Sequence, residues 1–428
     1  MPAHDFAAIA PWLRLSQCPG IGALRAARLL QAFGSPQAIF AQSADALLPV
    51  LGRRALVEAV LTLSDTTLAY LEQARAWLEG DPALPGVARA IWTLADAHYP
   101  ASLRELTDPP LALYAVGATR WLHPEAGQPP WWQCSAANVA IVGSRQPTAQ
   151  GAQNAHQFAA WLQAAGVSIV SGLARGIDAA AHEGALQAAQ ANSAAPATVA
   201  VMGTGADRIY PASHKPLAQR IAQNGLLLTE QPLGAPPLAT HFPKRNRIIT
   251  GLSQATLVVE ATQPSGSLLS ARLALEQGRE VMAIPGSIHS PQSKGCHWLI
   301  KQGAKLVDHV TDVLEELSLQ PPATATGTPD PAAPGPIAPS PTSPTPAADA
   351  EADTRPAETA PAEAHPAAAP TNTQALLQAL GYDPVSLESL AERTGLPTAL
   401  LQTQLLELEL AGHLARLPGG LFQRLAQA

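Results

Sequence analysis

Short apolar runs alternate with alanine-rich segments of helical spacing between residues 139 and 284 of this 428-residue chain. Apolar runs of four or five residues, separated by helices, are typical of parallel strands that are covered on both faces, as in a doubly wound α/β sheet. The predicted strands are 139–142, 167–170, 198–202, 226–229, 256–259 and 280–284. The predicted helices lie near 148–165, 178–191, 213–223, 242–253 and 267–277, and a strand at 305–307 and a helix at 309–318 would complete the unit.

The N-terminal part of the chain has a different pattern. Apolar positions in residues 12–80 recur at helical spacing, which predicts an all-helical domain over residues 1–85. Between the first two helices lies Pro19-Gly20-Ile21-Gly22, where glycines two apart permit a tight turn and the close approach of a phosphate. This turn resembles a helix-hairpin-helix of the SAM-like kind. DNA contact and plain helix packing both remain open, and packing is favoured because only Arg25 and Arg28 are near.

Residues 319–371 differ in composition from the rest of the chain. The stretch 321–370 contains 14 of the 41 prolines, 16 alanines, six acidic residues and one arginine. Such a segment buries too little apolar surface to offset the entropy of ordering it, so we expect a flexible tether. The central α/β domain is therefore predicted to span 86–318, and a separate C-terminal domain 372–428.

The C-terminal segment has the pattern of a winged helix. Helices predicted at 373–380, 386–394 and 397–411 are followed by a hairpin of 413–417 and 421–425. The third helix of such a domain normally enters the major groove of DNA. Here it contains Glu407 and Glu409 and no lysine or arginine. We therefore expect this domain to contact protein, although Arg416 and Arg424 leave a DNA contact by the hairpin open.

The charge distribution gives no general attraction to nucleic acid. The net charge is −7, and −5 of it lies in 321–370, so the remainder is almost neutral. An anion site would have to be built locally. The three cysteines are too scattered for a disulfide framework or a metal site. Without a basic flank before an apolar core at the N-terminus, or an apolar run of 18 residues, we expect a cytoplasmic protein with no membrane span.

Small and polar residues follow the predicted strands. In a doubly wound sheet, ligands bind beyond the carboxyl ends of the strands. Small residues there expose backbone N–H groups, and the following helix directs its positive end at the same place, so these loops predict an anion site. The candidate residues are Ser144, Arg145, Ser171, Gly172, Arg175, Gly176, Ser265, Gly266 and Ser267.

The densest basic cluster of the chain follows the fourth predicted strand. It consists of Lys244, Arg245, Asn246 and Arg247. Pro243 can open a helix there, and Lys244 and Arg247 would then share one face. Together with Arg145 and Arg175, these two residues would place four cations at one edge of the sheet.

The usual nucleotide cofactors do not match these loops. A dinucleotide site needs G-x-G-x-x-G after the first strand and an acidic residue about 20 positions later, whereas the first loop here has one glycine and an arginine. The P-loop pattern G-x-x-x-x-G-K-[ST] does not occur either. We therefore predict no cofactor and no metal.

Five segments resemble successive motifs of the DNA-processing protein A family (DprA/Smf). They occur in order across about 170 residues: AIVGSR at 140–145, SGLARGIDAAAH at 171–182, FPKRNRIITGLS at 242–253, VVEATQPSGSLLSARLALEQGR at 258–279 and IPG at 284–286. The resemblance implies a cytoplasmic, dimeric protein with an extended Rossmann domain. It implies that this domain binds single-stranded DNA and that the protein loads the recombinase RecA during natural transformation. Arg145 matches the arginine of the family's first motif, and residues 244–247 match its F-P-x-R-N-R segment.

An enzyme is the alternative, because nucleotide phosphoribohydrolases of the lonely guy type share this general plan. Those enzymes use P-G-G-x-G-T followed closely by a glutamate, whereas here the matching turn begins at Pro264 and the next acidic residue is Glu276. No carboxylate is therefore offered for proton transfer at that turn. Other acidic or basic candidates have structural interpretations, and Asp178 is placed to cap a helix that begins near Ala179. We assign no catalytic residue; the other candidates considered are His182, Glu183, Glu230 and Glu260.

Overall fold

A nine-stranded sheet organises the central part of the protein. The computed structural model describes residues 6–79, 85–125, 127–189, 195–319, 371–417 and 419–425, so the predicted tether lies almost wholly outside the described residues. The strands of this sheet are β1 (Val87–Thr93), β2 (Ala112–Ala118), β3 (Ala137–Val142), β4 (Val167–Ser171), β5 (Thr198–Val201), β6 (Leu226–Thr229), β7 (Ala255–Val258), β8 (Glu280–Ala283) and β9 (Lys305–Leu306).

The strand order is β1-β2-β6-β5-β4-β3-β7-β8-β9. All neighbours from β6 to β9 are parallel, which confirms the doubly wound sheet. The seven predicted strands are present, with ends that shift by one or two residues. The sequence pattern missed β1 and β2, which pair antiparallel with each other, and β2 also pairs antiparallel with β6. They precede the alternation of strands and helices, so that alternation could not reveal them.

Helices cover both faces of the sheet because successive strand residues point to opposite sides. On one face Val139 and Ile141 pack against helices that include Phe158 and Ala181, and on the other Ala140 and Val142 share a core with Ile248. The helices of this region are α7 (Ala101–Arg104), α8 (Thr119–Leu122), α9 (Ala149–Ala164), α10 (Ile177–Ala188), α11 (Lys215–Asn224), α12 (His241–Gly251), α13 (Gly266–Glu276), α14 (Lys294–Lys301) and α15 (Val310–Glu316).

The N-terminal part is helical, as predicted. Its helices are α1 (Phe6–Gln17), α2 (Ala23–Phe33), α3 (Pro36–Phe40), α4 (Ala44–Leu51), α5 (Arg54–Leu61) and α6 (Asp65–Glu79). Ile9 and Leu13 of α1 and Ala74 of α6 lie in one apolar cluster with Ile91 and Tyr114 of the sheet. The helical part therefore packs directly on the two antiparallel strands.

The C-terminal part is a winged helix. Helices α16 (Thr371–Leu380), α17 (Leu387–Thr394) and α18 (Thr398–Leu410) pack with a three-stranded sheet of β10 (Val385–Ser386), β11 (Leu414–Leu417) and β12 (Leu421–Arg424). Leu390, Leu405 and Phe422 belong to its apolar core. Arg393 donates to Gln150 and Gln153 of α9, at 3.3 and 3.4 Å, so this part contacts the central sheet region.

A bilayer-crossing helix would need a long apolar segment. Within the described ranges, every helix falls short of the length and apolarity that this requires.

Candidate functional site

A cavity of about 400 Å³ lies at the carboxyl edge of the parallel strands. It is bounded by the loop after β3, the loop after β4, α12 and the start of α13. Seven of the predicted site residues line it: Ser144, Arg145, Arg245, Asn246, Ser265, Gly266 and Ser267. The strand order explains why these residues come together. Strand β3 lies between β4 and β7, so the loops that follow these three strands lie side by side.

The start of α13 directs a positive helix end at this cavity. Ser265 is the N-cap residue, and its Oγ accepts a hydrogen bond from the N–H of Leu268 at 3.4 Å. The first N–H groups of a helix have no acceptor within the helix. The first turn of α13 also contains no acidic residue. The helix end therefore attracts anions to the side of the cavity formed by Gly266 and Ser267.

Arg245 forms the floor of the cavity. It is only 4% exposed, and its Nη2 lies 3.6 Å from Oδ2 of Asp178. Burial lowers the pKa of Arg245, and the charge of Asp178 opposes this change. Within the described part of the chain, its Nε and Nη1 have no hydrogen-bond partner. Unpaired buried donors are costly, and the positive charge of this guanidinium favours an anion in the cavity that Arg245 lines.

The glycine at position 172 makes room for that arginine. A Cβ at residue 172 would lie 1.3 Å from Nη1 of Arg245, so no other side chain fits there. Gly176 has a φ of +80°, and a Cβ would lie 2.3 Å from the carbonyl oxygen of Ser144. Both glycines thus shape the cavity without lining it. Ser171 is buried and donates to the carbonyl of Ile141, which gives it a structural role.

The predicted capping role of Asp178 is wrong. Helix α10 begins at Ile177 with Gly176 as its N-cap, so Asp178 already lies in the first turn. Its Oδ2 accepts hydrogen bonds from the N–H groups of Gly172 and Ala174, at 3.1 and 3.4 Å. Asp178 therefore holds the loop after β4 against Arg245.

His182 also holds the loop after β4 in place. Its Nε2 accepts a hydrogen bond from the N–H of Leu173 at 3.3 Å, so Nδ1 carries the proton and donates to Oγ1 of Thr198 at 2.7 Å. Leu173 has a φ of +57°, which is uncommon for a residue other than glycine. Burial, with the charges of Arg245 and His214, lowers the pKa of His182 to about 3. The imidazole is therefore neutral at ordinary pH.

An exposed cation of the cavity lining, Arg145, lies next to a pair of aromatic rings. Arg145 is exposed, and its Cζ is 5.7 Å from the centre of the Phe242 ring. The ring of Tyr210 lies 5.5 Å from that of Phe242, and Tyr210 is 49% exposed. Arg145 thus offers a positive charge beside aromatic faces.

Lys244 and Arg247 line a second, larger cleft instead of the cavity. This cleft, of about 1020 Å³, separates α12 and α13 from the start of α2, including Gly22, Arg25 and Arg28. The predicted shared face of Lys244 and Arg247 is therefore present. Lys244 is exposed. The N-terminal turn faces the basic segment across the cleft, which the sequence did not predict.

The charge of Arg247 is already compensated. Its Nε lies 3.1 Å from Oδ2 of Asp108, and its Nη2 contacts Oε2 of Glu230. Burial raises the pKa of Glu230, and the charge of Arg247 opposes this. The expectation of four available cations is thus reduced to three, because Arg247 holds two carboxylates. Arg175 is exposed on the loop after β4 and lines neither the cavity nor the cleft.

The remaining acidic candidates also have structural partners. Glu260 accepts from both the N–H and Oγ1 of Thr148, at 3.0 and 2.6 Å, at the start of α9. Glu183 pairs with Arg220 at 2.5 Å near the protein surface. Burial raises the pKa of Glu260, and the bonds from Thr148 oppose this. These contacts give both carboxylates a structural role, so neither needs a catalytic role to explain its position.

The sequence interpretation missed two hydroxyl residues of the cavity, Thr262 and Ser270. Ser270 lies three positions after Ser267 on α13. Residues three apart share a face of a helix, so this spacing was a usable signal. Thr262 follows β7 in an irregular loop, where no periodicity applies.

The chain is similar to known DNA-processing proteins. The profile of the family described as DNA recombination-mediator protein A matches residues 90–318, and that of the DprA winged helix domain matches residues 360–420. Protein Smf of Escherichia coli is 41% identical over 337 residues, which cover 77% of this chain and 76% of that protein. DNA processing protein DprA of Streptococcus pneumoniae is 44% identical over 225 residues, covering 53% of this chain and 73% of that protein.

A solved structure is similar in fold as well. The X-ray structure of DprA from Streptococcus pneumoniae superposes with a TM-score of 0.57 at 34% sequence identity. The match covers 71% of this chain and 95% of that one.

Proposed function

This chain belongs to the DprA/Smf family of DNA recombination mediators, and we propose on that premise that it binds single-stranded DNA at the carboxyl edge of its sheet. The observation that carries the proposal is the cavity floored by Arg245. The charged residues of its lining are Arg145, Arg245 and Asp178, which leave a net positive charge, and the positive end of α13 faces the same space. A phosphate supplies the negative charge and the oxygen acceptors that such a site favours.

The aromatic rings next to Arg145 favour a single strand over a duplex. Exposed aromatic rings can stack on bases only where those bases are not already stacked and paired. Phe242 lies beside Arg145 and Tyr210 lies beside Phe242, so a phosphate at the arginine would put a flexible nucleotide near these rings. Stacking is tolerant of sequence, so binding should depend little on base composition.

The predicted site residues divide into three roles in this proposal. Ser144, Arg145, Arg245, Asn246 and the segment 265–267 contact phosphate directly, because they line the cavity. Arg175 and Lys244 attract the strand as exposed cations. Ser171, Gly172 and Gly176 shape the cavity without lining it, and Arg247 lines the second cleft with its charge compensated.

The cellular role that we propose follows from the family. The protein would be cytoplasmic, act as a homodimer, protect incoming single-stranded DNA and load RecA on it during natural transformation. Family membership supports these steps.

A phosphoribohydrolase of the lonely guy type is less favoured. In the described residues, the acidic and imidazole groups considered for catalysis are engaged with backbone or side-chain partners. We therefore propose a binding protein and not an enzyme. Incubation with nucleoside monophosphates tests this, because release of free base would favour the enzyme.

Fluorescence anisotropy with labelled oligonucleotides tests the binding proposal directly. Matched single-stranded DNA, duplex DNA and RNA of one length should be titrated at low salt. We expect the single-stranded DNA to bind at least tenfold more tightly than the duplex. Equal or tighter binding of the duplex would contradict the proposal.

A further inference from the structure

We infer that the cavity floored by Arg245 takes a terminal phosphate monoester, so that the protein recognises the phosphorylated end of a DNA strand. This inference rests on the proposed function and names the part of the strand that enters the site. The terminal phosphate would enter the cavity, whereas internal phosphates of the same strand would lie outside it near Arg145.

The shape of the cavity favours an end over an internal link. Several lining residues are buried, and they include Ile249 and Ser270 together with Arg245 and Asp178. An internal phosphodiester continues into a sugar on both sides and needs two openings. A terminal phosphate needs one, which the exposed lining residues Arg145, Thr262 and Gly266 can border.

The charge of the cavity also fits a monoester better. The charged residues of its lining are Arg145, Arg245 and Asp178, which together give +1. The first turn of α13 adds about half a positive charge. A phosphodiester carries −1, whereas a phosphate monoester carries about −1.5 to −2 near pH 7. The monoester therefore balances the site more closely.

The donors around the floor point the same way. Arg245 lines the cavity together with Ser267 and Ser270, which lie on one face of α13. A diester offers two non-bridging oxygens, and a monoester offers three. A third oxygen allows the arginine and the helix end to be satisfied together.

The experiment compares strands that differ only at their ends. Four labelled oligothymidylates of about 20 nucleotides are titrated by anisotropy against the full chain: one with hydroxyl ends, one with a 5′-phosphate, one with a 3′-phosphate and one closed into a circle. We expect one of the phosphorylated strands to bind about tenfold more tightly than the hydroxyl-ended strand, as charge-assisted hydrogen bonds would give. The circle should bind like the hydroxyl-ended strand.

Variants connect this preference to the cavity. Ser267→Ala and Arg245→Lys should each reduce the ratio between phosphorylated and hydroxyl-ended strands to about threefold or less. Ser267→Ala is the safer test, because Arg245 is buried and its replacement can impair folding. Arg120→Ala is the matched control, since Arg120 is exposed on α8, which follows β2 at the opposite edge of the sheet. It should leave the ratio at its original value.

The outcomes separate the two ideas. Equal affinity for all four strands would overturn the inference and leave the proposed function standing. A preference that survives unchanged in Ser267→Ala and in a folded Arg245→Lys variant would overturn the assignment of the end to this cavity. Failure of every strand to bind would contradict the proposed function and the inference with it.

Discussion

Arg245 and Asp178 face each other inside the protein, with 3.6 Å between Nη2 and Oδ2 and side chains that are 4% and 8% exposed. Asp178 also accepts two N–H bonds from the loop after β4. This one carboxylate therefore holds both the cation of the cavity floor and the backbone beside it. Breaking a buried pair from one side leaves an uncompensated charge, which is strongly destabilising.

The first prediction concerns this pair. Asp178→Asn should lower the free energy of unfolding by about 3–5 kcal/mol, because Arg245 would stay charged and buried without its counter-ion. Urea denaturation measures the change. The control is Glu183→Gln, which removes the surface partner of Arg220, where both side chains are at least 40% exposed. That change should cost less than about 1 kcal/mol, and similar losses in the two variants would contradict the interpretation.

The second prediction concerns pH. His182 has a pKa of about 3 in the folded protein and an ordinary value near 6.5 when unfolded. Between these values the unfolded chain binds a proton that the folded protein does not, so stability decreases as pH falls below about 6.5. The slope approaches about 1.4 kcal/mol per pH unit.

Denaturation at pH 7 and at pH 5 should therefore differ less in His182→Asn than in the original protein. The variant loses the proton linkage together with the bond to Leu173. His289→Asn is the control, because His289 is exposed. An undiminished difference in His182→Asn would show that other groups cause the pH dependence.

The third prediction concerns the salt dependence of DNA binding. Since Arg247 is compensated, Arg145, Arg175 and Lys244 remain as exposed cations. If they neutralise about three phosphates, log K should fall against log salt with a slope of about −2, from about −0.7 per phosphate on a single strand. Arg145→Ala should weaken binding to all sequences alike and reduce the steepness of the slope by somewhat under one unit.

The double variant Arg145→Ala/Lys244→Ala sharpens this salt titration, and Arg120→Ala serves as its control. Unchanged affinity and slope in a folded double variant would place the DNA site elsewhere. The cleft beside Gly22 and Arg28 would then be the next site to test.

The fourth prediction concerns the winged helix. Helix α18 has Leu406 and Leu410 at 55% and 81% exposure and contains no lysine or arginine, which suits protein contact and not groove binding. Cleavage in the segment 320–370 should thus yield a stable fragment of about 1–319 whose affinity for single-stranded DNA stays within about twofold. A loss of tenfold or more would mean that the C-terminal part binds DNA.

The fifth prediction is self-association without the winged helix. Sedimentation of the fragment 1–319 at micromolar concentration should show a dimer. The N-terminal helices must be kept in this fragment, because Ile9, Leu13 and Ala74 pack against strands of the sheet. A strict monomer would contradict a dimer interface within residues 1–319.

The sequence by itself determined the parallel sheet and the loops that carry the site. Buried parallel strands need continuous apolar runs, and helices need apolar positions at helical spacing, so both are visible locally. The sequence also predicted that Ser144, Arg145 and the segment 265–267 would meet at one site, since the carboxyl ends of the strands in such a sheet lie at one edge. The alternation of strands and helices could not reveal β1 and β2. These antiparallel strands precede the alternating segment in the chain, so they do not change its pattern.

Only the tertiary structure decided which cations are available. Arg145, Arg245 and Arg247 have the same chemistry in the sequence, yet one is exposed, one is buried against Asp178 and one is held by Asp108 and Glu230. Asp108 and Glu230 are distant in sequence from Asp178, and strand order brings all three to the same edge. The charge that a residue can offer to a ligand depends on its burial and on its nearest counter-ion, and both are set by contacts between segments that no local pattern connects.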